Sequence, residues 1–210
     1  MTGLIDISPS LRAGMGVFPG DALFRSAQTF SIGPGCPVNV AEIALSTHCG
    51  AHADAPLHYD PNGASIDRLD LADFIGPARV IDARGDGPLC GFDEISAFLE
   101  NAPPRLLFRL MPRIDPMVWP SGFRALAPDA VERLALGGVR LIGVDVPSVD
   151  PETSKELPSH MVCRAHDLRI LENLVLADVA PGDYELIALP LKLSGLDAAP
   201  VRAVLRAAAH

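Results

Sequence analysis

Aromatic residues are scarce in this chain of 210 residues, where Phe, Trp and Tyr together make up 5% of the total. We therefore expect a core built mainly from Leu, Ile, Val and Ala. Long apolar runs are missing too: no stretch of about 18 apolar residues is present, which argues against a membrane-spanning helix. Since 49% of the residues are nonetheless apolar, the chain has enough material for one sizeable core.

Positive charge is also in short supply. The chain has 17 Lys and Arg against 26 Asp and Glu, which gives a formal net charge of −9 at pH 7. Because phosphate groups are bound through a positive surface, this balance argues against nucleic acids and anionic membranes as partners.

Several motifs are missing as well. The first apolar run is not followed by Gly-x-Gly-x-x-Gly, so a dinucleotide site has no support, and the absence of Gly-x-Ser-x-Gly argues against a serine hydrolase. The cysteines, Cys36, Cys49, Cys90 and Cys163, form no Cys-x-x-Cys pair. We expect them to be reduced thiols of a cytoplasmic protein, because the stretch MTGLIDISPS does not have the pattern of a signal peptide.

Short apolar runs alternate with helix-like segments along the chain. The runs predict buried strands at residues 4–7, 78–81, 106–110, 139–144 and 185–189. Apolar spacing and a proline at a first turn predict helices at residues 93–100, 128–136 and 165–176. No repeat or Gly/Ser linker interrupts this order, so we predict a single α/β domain over residues 1–210 with a mixed sheet and flanking helices.

Three of the six histidines and one aspartate fall within STHCGAHADAPLHY, at His48, His52, Asp54 and His58. One helical turn would align His48 with His52, whereas an extended backbone would align His52 with Asp54. Gly50 permits unusual backbone angles, so a tight turn that runs into or out of a short helix could bring all three together. Imidazole nitrogen and carboxylate oxygen suit a borderline divalent metal such as zinc, with manganese, iron or cobalt as alternatives.

Three protein ligands would leave a coordination position open for water, as in catalytic metal sites. His58 lies further along and is a candidate general base and acid; the alternative is a fourth ligand or a side chain that supports another ligand. A polar loop that binds nothing is an alternative reading of the cluster, but three histidines and an aspartate between apolar flanks argue against it. A structural zinc domain is another, although only Cys49 lies near the histidines.

Two more ligand candidates lie far along the chain, His160 in SKELPSH and Glu172 in RILENL. A carboxylate beside apolar residues must be paired, bound to metal or turned to solvent. His166 and Asp167 are weaker candidates. Ser148 and Asp150, which follow the predicted strand at residues 139–144, have no assigned role.

STHCGAHADAPLHY resembles the H-x-G-x-H-x-D-x-P-x-H signature of the metal-dependent cyclase-like hydrolases. Within them, the segments LIDISPSLRAGMGVFPGD, GVDVPSVDPETSKELPSH and ILENLVLADVAPGDYELIALPLKLSGLDAAPVRAVLR are similar to the bacterial kynurenine formamidases (arylformamidases). This resemblance covers nearly the whole chain. It implies a swivelling β/α/β fold, a homodimer and a site for two divalent ions, most simply zinc, with manganese as an alternative.

The resemblance also assigns roles to residues. It implies His48 and His52 as ligands of the first ion, His160 as a ligand of the second, Asp54 and Glu172 as bridging ligands, and His58 as the proton donor and acceptor. The position before Pro19 is typically tryptophan in the family and stacks on the substrate. Here it is Phe18, which keeps an apolar ring but has no indole N–H; its alternative role is core packing.

The activity implied is hydrolysis of N-formyl-L-kynurenine to L-kynurenine and formate by a metal-activated hydroxide, a step of tryptophan degradation. One alternative is a hydrolase of the same family that acts on another small amide or lactam, such as isatin. A second alternative, from a different class, is a metal-binding regulatory or storage protein.

Overall fold

A large curled sheet dominates the computed structural model, which describes residues 3–207. The ends of the predicted domain, residues 1–2 and 208–210, lie outside the described residues. The strands are β1 (Leu4–Asp6), β2 (Arg25–Phe30), β3 (Val40–Ala44), β4 (His52–Asp54), β5 (Ile75–Asp82), β6 (Leu89–Cys90), β7 (Arg105–Arg109), β8 (Ala125–Leu126), β9 (Leu141–Val144), β10 (Arg169–Glu172), β11 (Gly182–Ile187), β12 (Ala198–Pro200) and β13 (Val204–Ala207). The α-helices are α1 (Phe92–Ile95), α2 (Pro128–Leu136) and α3 (Pro158–Ala165). Short 3-10 turns occupy Pro56–His58, Ile66–Arg68, Leu71–Phe74 and Ser96–Phe98.

Nine strands form the main sheet in the order β1-β13-β11-β5-β7-β9-β10-β4-β12. The four central strands from β5 to β10 run parallel, and the neighbours on both sides are antiparallel. Only Val201–Ala203 separate β12 from β13, although these strands lie near opposite ends of the order. The sheet must therefore curl back on itself. The mixed α/β architecture predicted from the sequence is confirmed.

Both faces of the central strands are covered by apolar side chains. In β7, Leu107 belongs to one buried cluster, while Leu106 and Phe108 belong to the other. In β10, Leu171 and Ile170 divide in the same way. Because successive residues of a strand point to opposite faces, burial on both sides explains why these strands read as continuous apolar runs.

The predicted strands at residues 4–7, 78–81, 106–110, 139–144 and 185–189 overlap β1, β5, β7, β9 and β11. The helix predicted at residues 128–136 matches α2, and the one at residues 93–100 is α1 followed by a 3-10 turn. All four cysteines are unpaired. None of the described helices is long and apolar enough to cross a membrane.

The helix predicted at residues 165–176 is wrong. Helix α3 ends at Ala165, and the strand β10 follows at Arg169–Glu172. The spacing of Leu168 and Leu171 suggested a helix, yet every residue of β10 is buried. A strand covered on both faces shows no alternation of apolar and polar residues, so its pattern resembles that of a buried helix.

Candidate metal centre and active site

Pairing between β4 and β10 creates the centre of the candidate site. His52 and Asp54 are two apart in β4, so their side chains share one face, while Ala53 between them belongs to the apolar core. In the antiparallel register, Glu172 lies opposite His52. The sheet therefore places a carboxylate from β10 beside an imidazole from β4.

The turn before β4 brings in His48. Gly50 has a φ of +69°, in the left-handed region that favours glycine. A Cβ atom at this position would lie 2.3 Å from Cδ2 of Leu11, so the side chain of Leu11 would have to shift to admit a larger residue. The turn thus favours glycine mainly because of its backbone angle. His48 precedes the turn, which explains how it and His52 converge without a helix.

Three imidazoles surround two carboxylates in a buried cluster. Oδ1 of Asp54 lies 3.2 Å from Nδ1 of His48 and 3.3 Å from Nε2 of His52, and Oδ2 lies 3.5 Å from Nε2 of His160. Oε2 of Glu172 lies 3.4 Å from Nε2 of His52, and Oε1 lies 3.6 Å from Nε2 of His160. The structure thus brings His160 and Glu172 to the early histidine cluster, as the ligand hypothesis requires.

Several atoms of this cluster are buried without a hydrogen-bond partner among the described residues. They are Nε2 of His52, both carboxylate oxygens of Asp54 and Nε2 of His160. Buried polar atoms in native proteins are nearly always satisfied, and each orphan costs about 1–3 kcal/mol. All four atoms are good ligands for a divalent cation. The donor set therefore fits a metal centre.

The candidate ligands form overlapping groups. His48, His52 and Asp54 offer ligand atoms within 4.8 Å of one another, as do Asp54, His58 and His160. Asp54 belongs to both of these groups, so this arrangement could hold two cations that share one carboxylate, and His48, His58 and Asp197 form a third group. His58 is in the second group, which keeps open its alternative role as a ligand. His166 and Asp167 are absent from the groups found among the described residues.

The other ring nitrogens of His52 and His160 are held by acceptors. Nδ1 of His52 donates to the carbonyl oxygen of Gly50 at 2.9 Å, and Nδ1 of His160 donates to Oδ2 of Asp150 at 2.7 Å. Asp150 also accepts from the backbone N–H groups of Ser159 and His160 at 2.9 and 3.0 Å. Acceptors of this kind fix the tautomer of a ligand histidine, and here they leave Nε2 facing the cluster.

Asp197 is the acceptor that orients the ring of His48. It was not identified as a site residue from the sequence. Its Oδ2 lies 2.9 Å from Nε2 of His48 and 3.5 Å from Nδ1 of His58, and its Oδ1 accepts from the hydroxyl of Thr47 at 3.1 Å. With Nε2 of His48 turned to Asp197, Nδ1 is the nitrogen that faces Asp54. Asp197 is 149 residues from His48, so no local spacing pointed to it.

Negative charge in the cluster favours bound protons or cations. Burial lowers the pKa of His52, but the carboxylates of Asp54 and Glu172 outweigh burial and raise it to about 10. Burial likewise lowers the pKa of His160, while Asp150 and Asp54 raise it to about 10. Burial raises the pKa of Asp54, but the surrounding imidazoles hold it well below its usual value. Without a cation, the two histidines therefore carry protons at neutral pH.

His58 differs from these histidines in its exposure and its pKa. Its side chain is 32% exposed, whereas those of His52 and His160 are 1% and 2% exposed. Burial is the largest influence on its pKa, and with the nearby imidazole of His48 it outweighs the attraction of Asp54, so the pKa is lowered. A neutral, accessible imidazole beside the cluster can accept a proton near pH 7.

A cavity of about 310 Å³ opens onto the cluster. Phe18, Trp119 and Phe123 line it. The ring centroid of Trp119 lies 5.4 Å from that of Phe18 and 6.3 Å from that of Phe123, with edge-to-face geometry in both pairs. The single tryptophan thus lies next to Phe18, although it is 101 positions away, and no pattern in the sequence indicated this contact.

Ser148 and Cys49, whose roles were open, have clear surroundings. Ser148 lines the cavity, and its hydroxyl accepts from the backbone N–H of Asp150 at 3.2 Å. Cys49 is buried, and its thiol contacts the sulfur of Met15 at 3.4 Å. The thiol therefore faces the packed interior and does not join the groups of candidate ligands.

Comparison with known proteins agrees with this site. The Cyclase family matches residues 5–151, more than half of the chain, and the chain belongs to this family. It is 57% identical to a kynurenine formamidase of Delftia acidovorans, with 98% of each chain covered. These likenesses and the cluster of ligand atoms support a metal-dependent hydrolase.

Solved structures show the same fold. One, described as a potential metal-dependent hydrolase with cyclase activity, has a TM-score of 0.83 at 28% identity and covers 99% of this chain and 98% of its own. Isatin hydrolase A of Ralstonia solanacearum has a TM-score of 0.83 at 21% identity, with 98% and 92% covered. At that identity, the isatin hydrolase shows the fold alone.

The affinity of the metal-free protein for zinc should rise with pH. Because the raised pKa values of His52 and His160 keep both rings protonated at neutral pH, a cation must displace those protons. We expect affinity to increase about tenfold per pH unit for each proton displaced. Competition with a chelator between pH 6 and pH 8 measures this, and affinity that does not change with pH would contradict it.

Asp150→Ala should weaken cation binding about 10- to 100-fold, because the ring of His160 loses the acceptor that orients it. Chelator competition measures the affinity, and circular dichroism checks the fold. Asp183→Ala is the matched control, since this exposed carboxylate pairs with Arg79 away from the cluster. Equal affinities for both variants would show that Asp150 does not support the site.

Proposed function

We propose that the chain hydrolyses N-formyl-L-kynurenine to L-kynurenine and formate with the help of bound divalent cations. The observation that carries this proposal is the buried cluster of three imidazoles and two carboxylates at one end of a cavity with aromatic walls. The kynurenine formamidase of Delftia acidovorans, at 57% identity over 98% of both chains, supports the choice of substrate.

The contacts of the two carboxylates fit a site that holds two cations. The two oxygens of Asp54 face different imidazoles, Oδ1 towards His48 and His52 and Oδ2 towards His160. The two oxygens of Glu172 also face different imidazoles, Oε2 towards His52 and Oε1 towards His160. We therefore assign His48 and His52 to one ion, His160 to the other, and Asp54 and Glu172 to both.

Zinc suits this mixture of nitrogen and oxygen ligands best, and manganese is the alternative. Cations held here would supply Lewis-acid chemistry, which polarises a carbonyl group and lowers the pKa of water towards neutrality.

His58 is the residue that we assign to proton transfer. In the reaction, a water oxygen bonds to the formyl carbon, the carbon–nitrogen bond breaks, and the leaving nitrogen must take up a proton. His58 is neutral near pH 7 and partly exposed at the cavity. It can accept the proton that water loses and donate it to the leaving nitrogen, so an arylamine and formate are released.

The aromatic wall provides a surface for the aryl ring of the substrate. Phe18 is 53% exposed and lines the cavity beside Trp119. Exposure of this extent favours a contact role over core packing. The indole that the family usually places before Pro19 is absent, but Trp119 offers a large ring face in the same wall. Phe18 is thus our candidate for the stacking residue.

Isatin is the second candidate substrate, because isatin hydrolases share the fold. The much higher identity to a kynurenine formamidase favours the formamide. The homodimer, the cytoplasmic location and the single domain over residues 1–210 stay predictions. The hairpin of β2 and β3 gives the homodimer some support, since Phe30 and Ile43 are 57% and 63% exposed there.

Purified protein should release formate from N-formyl-L-kynurenine and lose this activity when a chelator removes its cations. Zinc or manganese added back should restore the activity, because the buried ligand atoms require a cation. Absorbance of the kynurenine product measures the rate, and isatin serves as the competing substrate. No turnover of the formamide by metal-loaded protein, or faster turnover of isatin, would overturn the proposal.

His58→Ala should lower kcat by roughly 10²- to 10⁴-fold, the usual contribution of a positioned acid or base. Metal content should stay largely intact, which elemental analysis can measure. His166→Ala is the matched control, because His166 is exposed at the end of α3. Normal turnover by the His58 variant would remove it as the proton shuttle, and loss of the cations would indicate that it is a ligand.

A further inference from the structure

Lys155 is the only lysine or arginine among the described residues that line the cavity next to the metal centre. The chain contains two lysines in total, and the other is Lys192. In a protein with a net charge of −9, an anionic ligand meets a repulsive overall field. As the one lysine or arginine side chain that the structure describes in this lining, Lys155 is therefore well placed to pair with a carboxylate.

The loop that carries Lys155 is fixed at several points. The N–H of Ser154 donates to the carbonyl of Pro151 at 2.8 Å, and the N–H of Leu157 donates to the hydroxyl of Ser154 at 3.1 Å. Glu152 in the same loop accepts from the indole N–H of Trp119 at 2.8 Å. The loop is thus tied to the aromatic wall and leads directly into the helix that carries His160.

The amino group of Lys155 is available for a ligand. Within residues 3–207, it makes no side-chain hydrogen bond or ion pair. Glu152 lies in the same loop and also lines the cavity. Both of its carboxylate oxygens are already engaged, one by the indole N–H of Trp119 and the other by the backbone N–H of Gly122 at 3.1 Å. A lysine without an internal partner, on a fixed loop at a cavity, can bind a carboxylate at little cost in lost interactions.

We propose that Lys155 binds the α-carboxylate of the substrate and so selects aryl formamides whose side chain carries a carboxylate. This inference rests on the proposed function, because it places the formyl group at the metal centre and the aryl ring against the aromatic wall. The amino-acid end of the substrate is then the part left to meet the loop. Lys155 is a specificity residue and has no part in breaking the carbon–nitrogen bond.

Arg113 is the rival for this role. It lines a neighbouring cavity of about 270 Å³, which shares Trp119 with the substrate cavity. Its guanidinium already pairs with Asp178 at 2.6 Å, and the buried carboxyl of Asp145 lines the same cavity. Both features make this second cavity a poorer place for a carboxylate than the loop of Lys155.

The test compares Lys155→Gln with the wild type on two substrates, N-formyl-L-kynurenine and 2′-formamidoacetophenone. The second keeps the aryl ketone and the formamide but has no amino-acid group. We expect the KM for formylkynurenine to rise roughly 5- to 30-fold, the range between an exposed ion pair and a charged hydrogen bond. The kcat for formylkynurenine and the kcat/KM for the truncated substrate should change less than about twofold, and Lys155→Arg should recover most of the KM.

Two variants serve as controls. Lys192→Gln removes the same charge from the other lysine, which is exposed and does not line the cavity, and it should leave both substrates unaffected. Arg113→Gln tests the rival cavity. The proposal is overturned if Lys155→Gln impairs both substrates equally, or if Arg113→Gln is the variant that impairs formylkynurenine alone.

Calorimetric binding of L-kynurenine to the metal-loaded wild type and Lys155→Gln gives a readout that needs no turnover. Weaker binding to the variant supports the role of Lys155, and equal binding overturns it. If the wild type hydrolyses neither formamide, the proposed function fails, and the binding comparison still decides whether Lys155 holds the carboxylate. The two failures are thus distinguishable.

Discussion

The antiparallel pairing of β4 with β10 is the constraint on which the site depends. It sets Glu172 opposite His52 and Ile170 opposite Asp54, so that an acid and an imidazole from distant segments meet on one face. A slip of one residue would turn His52 and Asp54 into the apolar core and bring Ala53 to the cavity. The apolar neighbours on the other face, Ala53 and Leu171, make such a slip costly and thereby protect the geometry.

Around this pairing, the protein has gathered several buried carboxylates. Asp54, Asp150 and Glu172 are all buried beside the imidazoles, and burial of an unpaired carboxylate is expensive. Protons on the histidines offset this charge in the absence of metal. Divalent cations would offset it better, since they also satisfy the orphan atoms of His52 and His160. The unsatisfied ligand atoms of the bare cluster are thus the reason why we expect it to bind cations.

The part of the site that residues 48–54 contribute could be predicted from the sequence, because its geometry depends on neighbouring residues only. His52 and Asp54 share a strand face, and Gly50 supplies the turn that brings His48 back to them. Strands covered on both faces gave apolar runs that predicted the centre of the sheet. Burial on both faces also removed the alternation of apolar and polar residues from β10. Glu172 was therefore identified as a candidate ligand, while the segment that contains it was predicted to be a helix.

Contacts between distant segments could not be predicted from spacing. Asp197 reaches His48 only because β12 pairs with β4, and Trp119 contacts Phe18 in the wall of the cavity. The exposed strands β2 and β3 have no apolar alternation facing a core, which explains why they were not predicted. These features arise from tertiary packing, which no short window of residues encodes.

The curl of the sheet has a consequence for the order of events during protein synthesis. The backbone of Asp197 bonds to Ala55 beside the site, and a few residues later the chain continues into β13, which holds β1 in the sheet. A nascent polypeptide that has emerged from the ribosome only as far as Glu172 would possess every proposed ligand. It would still lack Asp197, whose carboxylate orients His48, and β13, the strand that pairs with β1. The partner that orients His48 therefore joins the site only after β12 has been synthesised and paired with β4.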